Sequence, residues 1–406
     1  MICRFSFKNF LSYRGETVFD FQAAAIPEFQ GKTIVRDKAS PLLPVCVIYG
    51  PNGGGKTNLL KAFACLVTLV VDPVRKLGKS RVTPILQHSV PAVPYLLDEQ
   101  SKGMNTEFQI FFRANGNEYQ YNLALLADEI KAESLYWKSL GGKRVGVVFE
   151  REAGEIVLGP SMNRGKINTQ VNPKMPFLSF LAINYDLPAI SEVIRFFESC
   201  IIQNYANPLV GSKVLKDESM SLKRPLIRAL NDLDIDIADF VYDEGDKRFY
   251  TVRSFENGSY RLPFEYESDG TRKLLVALPV FLIALRQGRP LIVDELDAKL
   301  HPKLLRYIIH LFHDPEINSN GAQLLFTSHD LTTMRNDVFR RDEIWFAYEN
   351  DSHESEIYSL YDIRDENGKH VNSTAAYDKQ YLEGRYGADP YLRNILGDEW
   401  NEPETD

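Results

Sequence analysis

Apolar and polar positions alternate from the first residues. Ile2-Cys3-Arg4-Phe5-Ser6-Phe7 predicts a strand, and Thr17-Val18-Phe19-Asp20-Phe21 predicts another after a turn at Arg14-Gly15. The stretch Leu42–Tyr49 ends in a β-rich apolar run, the pattern of a parallel strand buried on both faces. A glycine-rich loop, Gly50 to Thr57, follows it, and from Asn58 apolar residues recur every three or four positions, as in a helix. From about Asp72 to residue 105 the chain turns rich in proline and charge and reads as an irregular connection. Alternation returns over 107–158, with turns at Asn115-Gly116-Asn117, Gly141-Gly142 and Ala153-Gly154, so this stretch predicts an antiparallel meander.

Helical periodicity covers 188–206, through Ile190, Val193, Ile194, Phe197 and Ile201, and again 219–240. A hairpin at 249–264 leads to the turn Ser268-Asp269-Gly270, which opens a helix through Leu274, Leu275, Leu278 and Phe281. Two further buried strands end in polar residues: Pro290–Val293 in Asp294-Glu295, and Gln323–Thr327 in Ser328-His329, with a helix from Pro302 to about His313 between them. An α/β core split by an antiparallel and helical insertion accounts for this order. In such sheets ligands sit at the carboxyl ends of the strands, where all three polar clusters fall.

Composition changes that picture little. The 406 residues are 44% apolar, and 47 Lys plus Arg against 55 Asp plus Glu give a net charge of −8, which argues against coating nucleic acid by bulk charge. Polar residues interrupt the hydrophobic runs, so no membrane span and no signal peptide are expected, and the chain reads as cytoplasmic. Cys3, Cys46, Cys65 and Cys200 lack metal-ligand spacing and read as reduced core thiols.

The chemistry is concentrated in Gly50-Pro51-Asn52-Gly53-Gly54-Gly55-Lys56-Thr57, a full GxxxxGK[ST] between a strand and a helix. Backbone amides of Asn52, Gly53, Gly54 and Gly55 would face phosphate oxygens. Lys56 would reach the β- and γ-phosphates of ATP, and the Thr57 hydroxyl would ligate Mg²⁺. Asp294, directly after four apolar strand residues, is the second candidate for the Mg²⁺ shell. Glu295 is then placed as general base for a water attacking the γ-phosphate. His329 is a candidate for sensing that phosphate, although an isolated histidine is more often structural.

These pieces occur in the order seen in ABC-type ATPases of the SMC kind. Gly50–Thr57 resembles Walker A, and Leu291–Glu295 resembles Walker B with its catalytic glutamate. Leu296–Pro302, with Asp297, resembles the D-loop, and His329 resembles the switch histidine. Glu267-Ser268-Asp269-Gly270-Thr271-Arg272-Lys273-Leu274 is similar to the ABC signature, with Ser-Asp-Gly where transporters have Ser-Gly-Gly. The opening Phe5–Tyr13 resembles the first strand of the superfamily. Asn105–Phe108 and Ala132–Trp137 resemble a narrower group, the stand-alone ATPases of abortive-infection and overcoming-lysogenization-defect (OLD) phage-defence systems.

The resemblance implies a P-loop NTPase head of the ABC type, a mixed sheet with an antiparallel β-subdomain, interrupted by an α+β insertion. Its expected parts are 1–70 (head, Walker A), 71–260 (insertion), 261–346 (head, signature to switch histidine) and 347–406 (extension). It implies ATP and Mg²⁺ as ligands and a head-to-head dimer or higher oligomer. In that dimer Ser268 and Gly270 of one subunit would contact the γ-phosphate bound at Lys56 of the other. An ordinary helix N-cap at Ser268 is compatible with that role. Gln87 is the candidate Q-loop residue and Mg²⁺ contact. OLD nucleases carry a further Toprim domain; about 60 residues after 346 are too few for one. The expected partner is therefore a separate toxic effector such as a nuclease, with a phage protein as a possible trigger. The competing expectation is a DNA-clamping repair or recombination ATPase of the RecF kind. Its basic groups would be Arg75-Lys76 with Lys79 and Arg81, Lys143-Arg144 and Lys223-Arg224. The acidic tail, from Asp398-Glu399 to Asp406, reads as a solvated terminus or a partner-binding segment.

Overall fold

The computed structural model describes residues 1–29, 31–35, 39–77, 90–160, 162, 166–204, 219–298, 300–365 and 367–388, with the backbone alone for 219–221. Gln87, Lys79, Arg81 and the acidic tail lie outside the described residues.

Three sheets organise the chain. β1 (Ile2–Lys8) and β2 (Thr17–Asp20) join β4 (Thr106–Ala114), β5 (Asn117–Leu126), β6 (Glu129–Ser139), β7 (Gly146–Glu152) and β8 (Glu155–Leu158) in one antiparallel sheet of order β2-β1-β4-β5-β6-β7-β8. β3 (Val45–Tyr49), β9 (Ile201–Asn204), β13 (Pro290–Asp294), β14 (Gln323–Thr327), β15 (Ile344–Glu349) and β16 (Ser355–Ser359) make a second of order β16-β15-β3-β14-β13-β9. It is parallel except for β16, which returns antiparallel beside β15. A small third sheet holds β10 (Asp239–Asp243), β11 (Arg248–Phe255) and β12 (Gly258–Pro263).

The period-2 geometry of a strand explains how the parallel sheet separates two cores. On β3, Cys46 and Ile48 face a core shared with the antiparallel sheet and with α1 (Lys56–Lys76), α2 (Phe177–Asn184) and α3 (Pro188–Ser199). Val45, Val47 and Tyr49 face the other core, filled by α4 (Ser219–Asp232), α5 (Asp269–Gln287) and α6 (Pro302–His313). Every β3 side chain is within 1% of complete burial. A charge at Ile48 would therefore forfeit the ~1.5–3 kcal/mol of its burial and add an unpaired buried ion. All four cysteines are buried free thiols.

One buried carboxylate ties the antiparallel sheet to the helices. Glu133 on β6 accepts the Tyr121 hydroxyl at 2.9 Å and the α2 amides of Phe177 and Leu178 at 2.6 and 2.9 Å, with Arg151 at 3.7 Å. Ser179, next on α2, donates to the Val70 carbonyl of α1 at 2.7 Å. Burial pushes the Glu133 carboxyl above its usual range in spite of these donors.

Three elements depart from the sequence pattern. The helix expected over 188–206 stops at Ser199: Cys200 is extended, and Ile201–Asn204 pairs in parallel with β13, Ile201 opposite Leu291 and Asn204 opposite Asp294. The open ladder of β13 outweighs a helical period that Ile201 happened to continue. Likewise the helix expected over 219–240 ends at Asp232, and Asp239–Asp243 is strand β10, paired with β11. α1, by contrast, continues past Asp72 and carries Pro73 in its last turns, where Asp72 pairs with Arg75 at 2.8 Å and Lys76 at 3.7 Å. Length and mean hydropathy would let α1 cross a bilayer, contrary to the reading that polar residues interrupt every run; 67% of that window is buried inside the protein, as in a core helix.

Candidate functional site

The P-loop leaves β3 at Gly50 and enters α1 at Lys56. Gly50 (φ 145°) has the carbonyl oxygen of Ala347 on β15 2.0 Å from where a Cβ would stand, and at Gly54 the same oxygen is 2.6 Å away. At Gly55 (φ 98°) a Cβ would meet Ser355 Oγ at 2.5 Å. Backbone conformation and lack of space both demand glycine there. The loop is braced from the chain's beginning as well: Tyr13 donates to the Gly55 carbonyl at 3.2 Å, and Asn58 donates to Ser12 Oγ at 2.9 Å. Gly55 caps α1 without a side-chain hydrogen bond, and the first turn holds no acidic residue. The positive end of a 21-residue helix is thus left uncompensated at the loop, as a phosphate site requires.

Lys56 is 6% exposed, and its ammonium donates to the carbonyls of Gly50 and Pro51, both at 2.8 Å. Burial lowers its pKa from the ordinary value, opposed by Asp294, Glu295 and Asp297. The Thr57 hydroxyl donates to Asp294 at 3.0 and 3.2 Å. Asp294 also accepts the Thr327 hydroxyl at 2.7 Å and the Asn204 amide at 3.2 Å, so neighbouring strands on both sides of β13 hold the carboxylate. Thr327 does two things at once, because its oxygen also accepts the backbone N–H of Glu295 at 2.7 Å. That bond pins Glu295 in the left-handed region (φ 53°), a conformation costing a non-glycine residue about 1–2 kcal/mol.

Pro51 to Asn58, Asp294, Glu295, Thr327 and His329 surround a cavity of about 250 Å³. Nine of the residues expected at a nucleotide site from its two halves, Asn52, Gly53, Gly54, Gly55, Lys56, Thr57, Asp294, Glu295 and His329, therefore meet in one place. His329 donates its backbone N–H to Asp297 Oδ2 at 3.0 Å, and Asp297 Oδ1 is buried without a partner among the described residues. Partial desolvation, then the charge of Lys56, lower the His329 pKa, so the ring is neutral at pH 7. Ser268 and Gly270 do not line the cavity. Ser268 is exposed and caps α5 by accepting the Thr271 N–H at 3.1 Å. Of the basic groups, Arg75 pairs with Asp72 and Lys223 with Asp239 at 2.6 Å. A larger concavity of about 630 Å³ covers the polar face of the antiparallel sheet and shares no lining residue with the P-loop.

Sequence reasoning missed Asn204 and Thr327. Asn204 ends a short run, Ile201-Ile202-Gln203, that has the same apolar-then-polar form as the other strands, but the helical spacing before it concealed the signal. Thr327 was visible as the last residue of its strand and carried no motif.

A P-loop at the carboxyl end of a parallel strand, with an acidic pair ending the strand two places away, defines a P-loop ATPase head of the ABC type. The chain belongs to the family described as "AAA domain, putative AbiEii toxin, Type IV TA system", which matches residues 45–335. Among solved structures it is similar to the SMC head domain from Thermotoga maritima, at 12% identity and a TM-score of 0.42 over 88% of this chain and 98% of that one. It is also similar to the recombination mediator protein RecF in the RecFOR pathway, at 13% identity and a TM-score of 0.36 over 89% and 98%. No curated protein matches it.

Proposed function

We propose that this chain binds and hydrolyses ATP, and that it acts as the regulatory ATPase of an abortive-infection system, holding or releasing a separate toxic effector. One observation carries the hydrolase reading: Thr57, Asp294, Glu295 and His329 converge on one cavity, with the Thr327 hydroxyl joining Asp294 to the Glu295 backbone. The amides of 52–55 and the Lys56 ammonium, now satisfied only by its own loop carbonyls, suit the phosphates. The paired hydroxyl and carboxylate of Thr57 and Asp294 suit a hard divalent cation, so these two residues would hold Mg²⁺. Bound there, Mg²⁺ would neutralise charge on the β- and γ-phosphates. Glu295 would accept the proton of the attacking water, and the neutral His329 ring would orient it.

The finer reading rests on the family's toxin–antitoxin description and on the exposure of Ser268, which leaves the signature turn free to meet a second copy across the nucleotide. In that arrangement Ser268 and Gly270 of one subunit contact the γ-phosphate held by Lys56 of the other. ATP binding then favours assembly, and hydrolysis reverses it. Expression with the neighbouring gene should be toxic on phage challenge, and expression of this chain alone should not be. Toxicity from this chain alone would sink the regulatory reading while leaving the ATPase untouched. ATP hydrolysis stimulated many-fold by duplex DNA, with a steep salt dependence, would favour the DNA-clamping alternative instead.

A further inference from the structure

Between the signature turn and the ATP cavity stands a buried cation that does not line the cavity. Lys273 lies on α5, five residues after Ser268, or about 7.5 Å along the helix axis. It is 2% exposed, next to the buried apolar run Leu274-Leu275-Val276-Ala277-Leu278. Its ammonium donates to the main-chain carbonyl of Ala298, just past the end of β13. Taking an ammonium out of water is costly, and an apolar side chain would fill the same space without that penalty. The lysine is therefore explained by what it holds rather than by packing.

What it holds is the turn Glu295–Ala298, which carries much of the site's geometry. The Ala298 N–H donates to the Glu295 carbonyl at 3.1 Å and closes the turn, while the Ala298 carbonyl accepts from Lys273. Glu295, at the head of the turn, is in the left-handed region at φ 53°. Asp297, inside it, accepts the His329 backbone N–H through Oδ2 at 3.0 Å, and its buried Oδ1 has no partner among the described residues. A left-handed glutamate and an unsatisfied buried oxygen are both costs, and they persist only where neighbouring structure holds them in place. Thr327 holds one end of the turn from β14, accepting the Glu295 N–H at 2.7 Å. Lys273 holds the other end from the signature helix. The opposite flank of the signature turn is tied as well: Arg253 on β11 bonds both carboxylate oxygens of the buried Glu267, at 2.6 and 3.0 Å. Ser268 and Asp269 are thus exposed on a short bridge between a strand anchor and Lys273.

We infer that Lys273 is a positioning residue: it ties the signature turn of a subunit to that subunit's own general base. Engagement of the turn by a second copy is carried along the first turns of α5 to Ala298, and so sets Glu295 and His329 for hydrolysis. The inference rests on the proposed pairing of two copies across the nucleotide, with Glu295 as base. It adds a direction of coupling that pairing alone does not supply, because contact with the partner's nucleotide adjusts the subunit's own site. In a symmetric dimer both subunits do this, and the two sites are linked through a two-ended element, α5.

The test uses the full chain as wild type, Lys273→Met, Lys273→Gln, Ser268→Ala and the double variant Ser268→Ala/Lys273→Met. Assembly with ATP is followed by light scattering, and turnover by phosphate release. Both Lys273 variants should assemble with ATP as the wild type does, with KM within about twofold and kcat about tenfold or more lower. Adding Lys273→Met to Ser268→Ala should lower turnover by less than about a further twofold, because the two changes break one linkage. A merely structural lysine would give losses that multiply. Hydrogen exchange supplies a readout independent of turnover: ATP-driven assembly should protect the Ala298 and Leu300 amides in the wild type and not in the Lys273 variants. Unchanged kcat, multiplying losses, or protection retained in the variants would overturn the inference and leave the paired reading standing. Wild-type turnover that does not depend on assembly would overturn that reading, and the inference with it. If neither Lys273 variant folds, the wild-type exchange decides: no ATP-driven protection of Ala298 and Leu300 would overturn the inference.

Discussion

The two halves of the ATPase motif set are built in opposite ways. The P-loop half is saturated: glycines press on the Ala347 carbonyl, Lys56 is buried, and Asp294 is held by donors from Thr57, Asn204 and Thr327. The signature half is sparse at its turn: Ser268 is exposed, and among the described residues its hydroxyl bonds only Thr271 of its own helix, through the backbone N–H and the side chain. One half is preorganised for chemistry, which removes the reorganisation cost at the reacting centre. The other is anchored at its flanks, where Arg253 grips the buried Glu267 at 2.6 and 3.0 Å and Lys273 bonds the Ala298 carbonyl, but it leaves the turn between them bare, as suits a surface completed by something else.

Five changes would break or sharpen that contrast. Glu295→Gln should lower ATP turnover by about 10²–10⁴-fold in a steady-state phosphate-release assay while retaining ATP binding; undiminished turnover would remove Glu295 from the role of base. Gly50→Ala should destabilise the fold by about 3 kcal/mol or more in denaturant titration, since its Cβ would stand 2.0 Å from the Ala347 oxygen at a φ of 145°. Thr327→Val preserves shape but removes one of three donors to Asp294 and strands the Glu295 N–H. It should cost about 1–3 kcal/mol of stability and lower kcat more than ATP affinity. Ser268→Ala should cost only about 1 kcal/mol of stability through the lost cap, yet abolish ATP-dependent dimerisation seen by light scattering. If the dimer persisted, the sparse half would have no role in trans.

The smallest effect concerns pH. The folded-state pKa of His329 is lowered, so the unfolded chain takes up this proton first as pH falls. The neutral ring's contribution is therefore complete above the ordinary histidine value of about 6.5 and is lost on the acid side of it. Turnover should decline there by less than tenfold, and His329→Gln should flatten that limb of the pH–rate profile.

The motif residues were legible because each ends an apolar run of the right length, and that places it at the carboxyl edge of the parallel sheet. Asp294, Glu295 and His329 could be brought to Lys56 on that ground alone. The support of Asp294 was not legible. Asn204 reaches it through a strand that reads as the end of a helix, and only the unfilled edge of β13 decides between the two. The join of the antiparallel sheet was hidden for a similar reason. β1 pairs with β4 across about a hundred residues, Phe7 opposite Phe108, and alternation predicts that both are strands without saying that they are neighbours. The packing of Ala347 on the P-loop glycines is a backbone contact, to which side-chain patterns are blind.

Glu133 makes the head mechanically rigid in one particular direction. Its carboxylate grips the first amides of α2, and Ser179 then fastens α2 to α1, the helix that begins at Lys56. Sliding the antiparallel sheet against these helices would strip the buried Glu133 carboxylate of its two α2 amides and leave it only Tyr121 and Arg151 of its own sheet, at a cost of about 1–3 kcal/mol for each lost bond. Sheet, α2 and P-loop helix are therefore joined as one lever, with the P-loop at one end and the polar face of the sheet at the other.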